Sequence, residues 1–88
     1  MVTNKEQYKI LIVEDDLTYA IMLKTWLGKK GFLVTTAGQV SKACALIEKF
    51  SYHLILSDLR LPDRDGTSLI SWLQHKEYKI PIIIMTRY

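Results

Sequence analysis

Ile10-Leu11-Ile12-Val13-Glu14-Asp15-Asp16 is the stretch on which the fold turns. An apolar run that does not alternate with polar residues reads as a strand buried on both faces of a parallel sheet. A second run of the same kind, Leu54-Ile55-Leu56-Ser57, also ends on an acid, Asp58. Acids at the carboxyl ends of two parallel strands meet at one edge of the sheet, where open α/β sheets bind their ligands. Carboxylates gathered there repel one another, which raises at least one pKa or calls for a cation. Mg²⁺ suits them, being a hard ion that takes one or two carboxylates together with water and phosphate oxygens. A helix start merely enriched in acids would account for Glu14-Asp15-Asp16, but not for Asp58 at an equivalent strand end.

Beyond Val13 the apolar period changes. Tyr19, Met22, Leu23, Trp26 and Leu27 fall at helical spacing and predict a core-facing stripe, with Asp16 capping its start. Lys29-Lys30, bracketed by Gly28 and Gly31, marks the end of that helix. Phe32 to Ala37 reads as a short strand rich in β-branched residues. Ala43, Leu46, Ile47 and Phe50 form a second helical stripe that begins near Ser41 or Gly38. His53 to Ser57 is the third strand, and Leu69, Ile70 and Leu73 mark a third helix after the turn at Asp65-Gly66. Ile80 to Met85 supplies a fourth strand, with Pro81 tolerable at its start. Strict alternation of strand and helix predicts an α/β fold: a parallel sheet with right-handed crossovers and helices on both faces. No repeat, low-complexity stretch or linker interrupts it, so residues 1–88 read as a single domain.

Composition narrows the function classes. A chain of 88 residues is near the lower end of what one hydrophobic core supports, and its apolar fraction of 49% argues against disorder. The net charge is +3, but the lysines are scattered from Lys5 to Lys79, which fits solvated helix faces better than a nucleic-acid surface. The single cysteine, Cys44, excludes an internal disulfide framework and suits a reducing cytoplasm. It falls in a helical apolar pattern and reads as a buried structural thiol. No stretch is long enough to span a bilayer, and the residues from Met1 to Gln7 form a polar lead-in rather than a signal peptide. His53 and His75 lie away from the acids, and Trp26 and Trp72 read as packing residues on helices.

Three motifs together resemble the receiver domain of bacterial two-component response regulators. They are Ile-Leu-Ile-Val-Glu-Asp-Asp at 10–16, the loop Asp58-Leu-Arg-Leu-Pro62-Asp-Arg-Asp65-Gly66, and Ile82-Ile-Ile-Met-Thr86. The D-x-x-x-P-x-x-D-G loop paired with an upstream acid pair is specific in combination, though each piece alone is weak. The resemblance runs from Tyr8 to Thr86 and implies a flavodoxin-like sheet of order 2-1-3-4, lacking the last helix, strand and helix of a usual receiver. It implies that Asp58 is the phosphoacceptor, attacking a phosphohistidine on a sensor histidine kinase or a small phosphodonor. It further implies Asp15 as a direct Mg²⁺ ligand, Glu14 acting through a bound water, and the backbone carbonyl of Arg60 as another ligand. Thr86 matches the switch hydroxyl that reports phosphorylation. Pro62 and Gly66 would shape the loop, by rigidity and by a permissive φ respectively. The wording D-L-R-L-P and I-I-M-T is nearest to receivers of transcriptional regulators, which are signalling modules rather than enzymes.

The sequence also departs from that pattern. The lysine that ends a receiver's fifth strand has no counterpart, because Lys76 and Lys79 precede the fourth strand, at the opposite end of the sheet from Asp58. Arg87 stands where a small residue is usual, either as a mark of truncation or as a substitute cation. The Ile82-Ile83-Ile84 run would form an apolar edge and the first helix would carry a bare surface, which predicts a homo-oligomer paired through the fourth strand or by exchange of elements. Two classes therefore stand side by side: a phosphoacceptor module whose switching is impaired, and a non-switching association module. A shortened receiver that folds only marginally is a further alternative. An aspartyl-nucleophile phosphatase would place a second acid two residues after the first, where this chain has Arg60. A dinucleotide-binding turn would be rich in glycine where the acid trio stands.

Overall fold

Unbroken apolar strands need neighbours on both edges and cover on both faces, and the two runs that end in acids pair directly with each other. The computed structural model describes residues 7–86. In chain order they form β1 (Lys9–Val13), α1 (Leu17–Lys29), β2 (Leu33–Ala37), α2 (Val40–Lys49), β3 (Leu54–Asp58), α3 (Gly66–His75) and β4 (Ile82–Met85). All pairs are parallel and the order is β2-β1-β3-β4, the order that the resemblance implies. Most of the polar lead-in, through Glu6, and both alternatives for Arg87 fall outside the described residues.

The pleat divides β1 between two layers. Leu11 and Val13 join Ile55 in a core closed by Val40, Ala43 and Ile47 of α2 and by Leu69 and Leu73 of α3. Ile10 and Ile12 point to the other face, where they are equally buried and where α1 packs on β1 and β2. Helices thus lie on both faces, as expected. The stripe on α1 is narrower than its periodicity predicts: Met22 and Trp26 are 55% and 57% exposed, and the buried side is made by Ala20 with Tyr19, Leu23 and Leu27 half-buried beside it. The reason is that α1 packs on the sheet alone, with no helix against its flank among the described residues. Trp26 instead lies beneath the Lys30 ammonium, 5.2 Å from the ring centroid, a contact of the cation–π kind. Phe50 sits one residue beyond α2 and is also exposed.

Helix ends follow local chemistry in two cases. Asp16 caps α1 by accepting from the Tyr19 backbone N–H. The same helix closes in a Schellman turn, with Gly31 at φ 98°, Gly31 N–H donating to the Gly28 carbonyl and Phe32 N–H to that of Leu27. At the end of α3 the identical pair of bonds runs from Glu77 N–H to Gln74 and from Tyr78 N–H to Leu73, but the left-handed position is held by Glu77, at φ 62°. A side chain there strains the turn by roughly 1–2 kcal/mol, against a smaller entropy cost of glycine in the unfolded chain. Glu77→Gly is therefore expected to raise the unfolding free energy by roughly 0.5–1 kcal/mol. Urea titration checks this: the midpoint should rise with an unchanged slope, and a fall would show that this helix end is not strained.

Candidate functional site

Register brings the acids together. Val13 pairs with Ser57, so the chain leaves the sheet at Glu14 and Asp58 side by side. Carboxylate oxygens of Glu14, Asp15 and Asp58 all lie within 4.8 Å of one another. Two members of the trio are buried, Glu14 at 3% exposure and Asp58 at 8%, while Asp15 faces solvent. Backbone bonds fix the buried pair: Glu14 N–H donates to the Ala37 carbonyl at 2.9 Å, Glu14 Oε2 accepts from Asp16 N–H at 2.9 Å, and Asp58 Oδ1 accepts from Leu59 N–H at 3.0 Å. The donor set fits Mg²⁺ in kind, because every candidate ligand is a hard oxygen. It also fits in scale: neighbouring oxygens on an octahedral ion stand about 3 Å apart and opposite ones about 4.2 Å at the usual metal–oxygen distance of about 2.1 Å, and the three carboxylates each offer an oxygen within 4.8 Å of the others.

The remaining predicted residues surround this cluster. Thr86 directly follows Met85, the register partner of Asp58, which sets it at the same sheet edge. Arg60 has an exposed side chain, and its backbone forms a lone antiparallel bridge with Asp65 that closes the base of the β3–α3 loop. Asp16 serves as the α1 cap and stands outside the metal cluster. Lys79 precedes β4, whose first residue Ile82 pairs with Ile55 near the start of β3, so it lies at the far end from Asp58. His53 is at that far end too, where its Nδ1 accepts from Lys9 N–H at 2.9 Å. Cys44 is a half-buried free thiol, and burial pushes its pKa up, which makes it a poor nucleophile.

Two residues, Asp63 in the β3–α3 loop and Ser57 within β3, have roles that the sequence does not announce. Asp63 accepts from the backbone N–H groups of Val40 and Ser41, at 2.9 Å each, and so caps α2 from another loop. Desolvation pushes its carboxyl upward, but the N–H groups of Ser41 and Val40 outweigh it and hold the pKa below the usual carboxylate range. Ser57, fully buried, donates from Oγ to the Asp58 carbonyl at 3.0 Å. The signal for Asp63 is indirect: Gln39, ahead of α2, supplies no side-chain cap.

Comparison with known proteins agrees with this fold. A sequence profile of the response regulator receiver domain matches residues 10–88. The transcriptional regulatory protein PmrA of Pectobacterium parmentieri is 40% identical over 78 residues, covering 89% of this chain and 35% of its own length. The chain thus spans about a third or less of the curated relatives it matches. Among solved structures, a CheY-like response regulator receiver domain from Methanospirillum hungatei superposes with a TM-score of 0.88 at 31% identity, covering 94% of this chain and 66% of that one. The MaeR response regulator bound to beryllium trifluoride gives a TM-score of 0.85 at 27% identity, covering 93% and 69%.

Gly66 corrects one expectation. Its φ is not positive, since Gly31 and Glu77 alone among the described residues adopt that region. The glycine is required for space: a Cβ there would collide with the carbonyl oxygen of Asp58 and press on Ser57 Oγ at 3.2 Å. Close approach also lets Gly66 N–H donate to the Leu59 carbonyl at 2.6 Å. Gly66→Ala must therefore push on backbone beside the acid cluster, and a cost of about 1–3 kcal/mol is expected, as for overpacking in a core. Chemical denaturation of the two proteins decides it; equal stability would mean the loop yields freely.

Proposed function

The chain belongs to the response regulator receiver domain family, and we infer that it is the phosphoacceptor module of a two-component signalling protein, with Asp58 taking the phosphoryl group of a sensor histidine kinase. The observation that supports this most is the convergence of Glu14, Asp15 and Asp58 oxygens at the carboxyl edge of the sheet. In the transfer, a carboxylate oxygen of Asp58 bonds to phosphorus while the bond from phosphorus to the imidazole nitrogen breaks, and that nitrogen keeps the electron pair. Bound Mg²⁺ supplies the charge neutralisation without which two carboxylates and a phosphoryl group repel. Asp15 and Asp58 would hold it directly, Glu14 through a bound water, and the Arg60 carbonyl would complete the protein's share. Thr86 provides the hydroxyl that bonds the phosphoryl oxygen and carries the change to the neighbouring surface. Asp58 acts as a covalent acceptor in a relay, so the module signals and is not an enzyme. The setting is a cytoplasmic regulatory protein of the kind PmrA is named for; no helix among the described residues is long and apolar enough to cross a membrane.

A second reading, association without switching, is favoured by the apolar surface at β4 and α1. Ile83 is 53% exposed on an edge strand of the described sheet, and Ile21, Met22 and Trp26 are exposed on α1. Unpaired strand edges of this kind template pairing with a second copy.

Intact-mass analysis after incubation with Mg²⁺ and a small-molecule phosphodonor should show a single phosphoryl adduct, absent from Asp58→Ala. An adduct that survives the substitution would remove Asp58 from the role. Light scattering across the micromolar range should give a mass above that of one chain, and a strictly monomeric solution would discard association through β4.

A further inference from the structure

We infer that Asp63 is a positioning residue for the metal-binding loop, an assignment that rests on the phosphoacceptor reading. Its carboxylate ties the loop that carries Arg60 to the amino end of α2. The first N–H groups of any helix lack partners within it, and the ordinary remedy is a serine, threonine, aspartate or asparagine at the preceding position. Here that position is Gln39, in extended conformation at φ −159° and ψ 164°, and its amide donates instead to Ser41 Oγ at 2.7 Å. Asp63 takes over, binding Val40 N–H with one oxygen and Ser41 N–H with the other. A cap supplied from 23 residues away does for the helix what a local one would, and adds something a local one cannot: it joins two loops.

The joined loops surround the acid cluster. On one side, Ala37 ends β2 just before α2 and accepts from Glu14 N–H. On the other, Asp63 follows Pro62 near the tip of the loop whose base is closed by the Gly66 to Leu59 bond and the bridge between Arg60 and Asp65. A continuous path thus runs from Glu14 through Ala37 and α2 to Asp63, and back along the loop to Arg60 and Asp58. Without Asp63 the buried carboxylates of Glu14 and Asp58 keep their backbone anchors, while the loop bearing the Arg60 carbonyl loses its tie to α2 and keeps only the bonds at its base. Partners that orient a metal ligand without touching the metal are worth 10–100-fold in affinity. Acting on one of the protein's three direct ligands, Asp63 falls at the low end of that range, about 10-fold.

The test is titration of the full chain with Mg²⁺ alone, followed by amide NMR shifts, alongside thermal unfolding. Asp63→Ala should bind Mg²⁺ about 10-fold more weakly and lose stability. Adding Gln39→Ser to that variant gives α2 a local cap, so stability should recover while the weakened Mg²⁺ binding persists. Asp63→Asn, which keeps an acceptor for one of the two amides, should fall between parent and alanine variant, and it carries the comparison if the alanine variant does not fold. Equal Mg²⁺ affinity in parent and folded Asp63 variants overturns the assignment, as does recovery of affinity together with stability in the double variant, which would make Asp63 a helix cap and nothing more. A parent chain that binds no Mg²⁺ overturns the phosphoacceptor reading itself, and the assignment with it.

Discussion

Parallel pairing of β1 with β3 is the constraint from which the site follows. Because side chains alternate along a strand, a slip of one residue would turn Leu11 and Val13 away from the core beneath α2 and α3 and put Ile10 and Ile12 there instead. Packing thus selects the register that sets Val13 against Ser57, and the same register sets Glu14 beside Asp58. The magnitudes show why the arrangement holds. Two unit charges 4.8 Å apart repel by about 3–4 kcal/mol at an effective dielectric constant of about 20. One fully buried Leu or Ile returns about 1.5–3 kcal/mol, and Leu11, Ile12, Ile55 and Leu69 are all fully buried. A few core side chains therefore offset one repelling pair, and the remainder of the core must offset the conformational entropy of folding.

Much of this was legible in the chain because it is written in nearest-neighbour patterns. Two apolar runs that end in acids identify β1 and β3, and alternation with helical stripes gives a parallel sheet, while the strand order comes from the family resemblance. What the pattern misses is what lies beside each element. Periodicity on α1 marks Met22 and Trp26 as core-facing, yet a helix resting on β1 and β2 alone buries a narrower strip. Phe50 continues the α2 stripe in sequence but falls past the helix end. Gly66 could be recognised as special, though not for the right reason: only the fold reveals the Asp58 carbonyl that leaves no room for a Cβ. Glu77 escapes notice because the left-handed helix end is usually signalled by glycine. Asp63 escapes because a cap and its helix are normally adjacent in sequence, and here the two belong to different loops.

The parts of the site are held by different kinds of force, and that division has a consequence for how it works. Glu14 and Asp58 extend directly from core strands and are fixed by short backbone bonds, so the charge that attracts a cation is set by the fold itself. Arg60 sits on the β3–α3 loop and Thr86 just past a strand end, outside the packed strands. A site built this way has a rigid floor and adjustable walls. Under the proposed function, preorganised charge on the floor suits capture of an ion and positioning of the attacking carboxylate, steps that gain from geometry settled in advance. In the proposed transfer, groups that respond to a newly attached phosphoryl belong on the walls, because a residue locked into the core could not move without cost to the packing. The sheet edge is where both conditions meet: strands stop there, and loops begin.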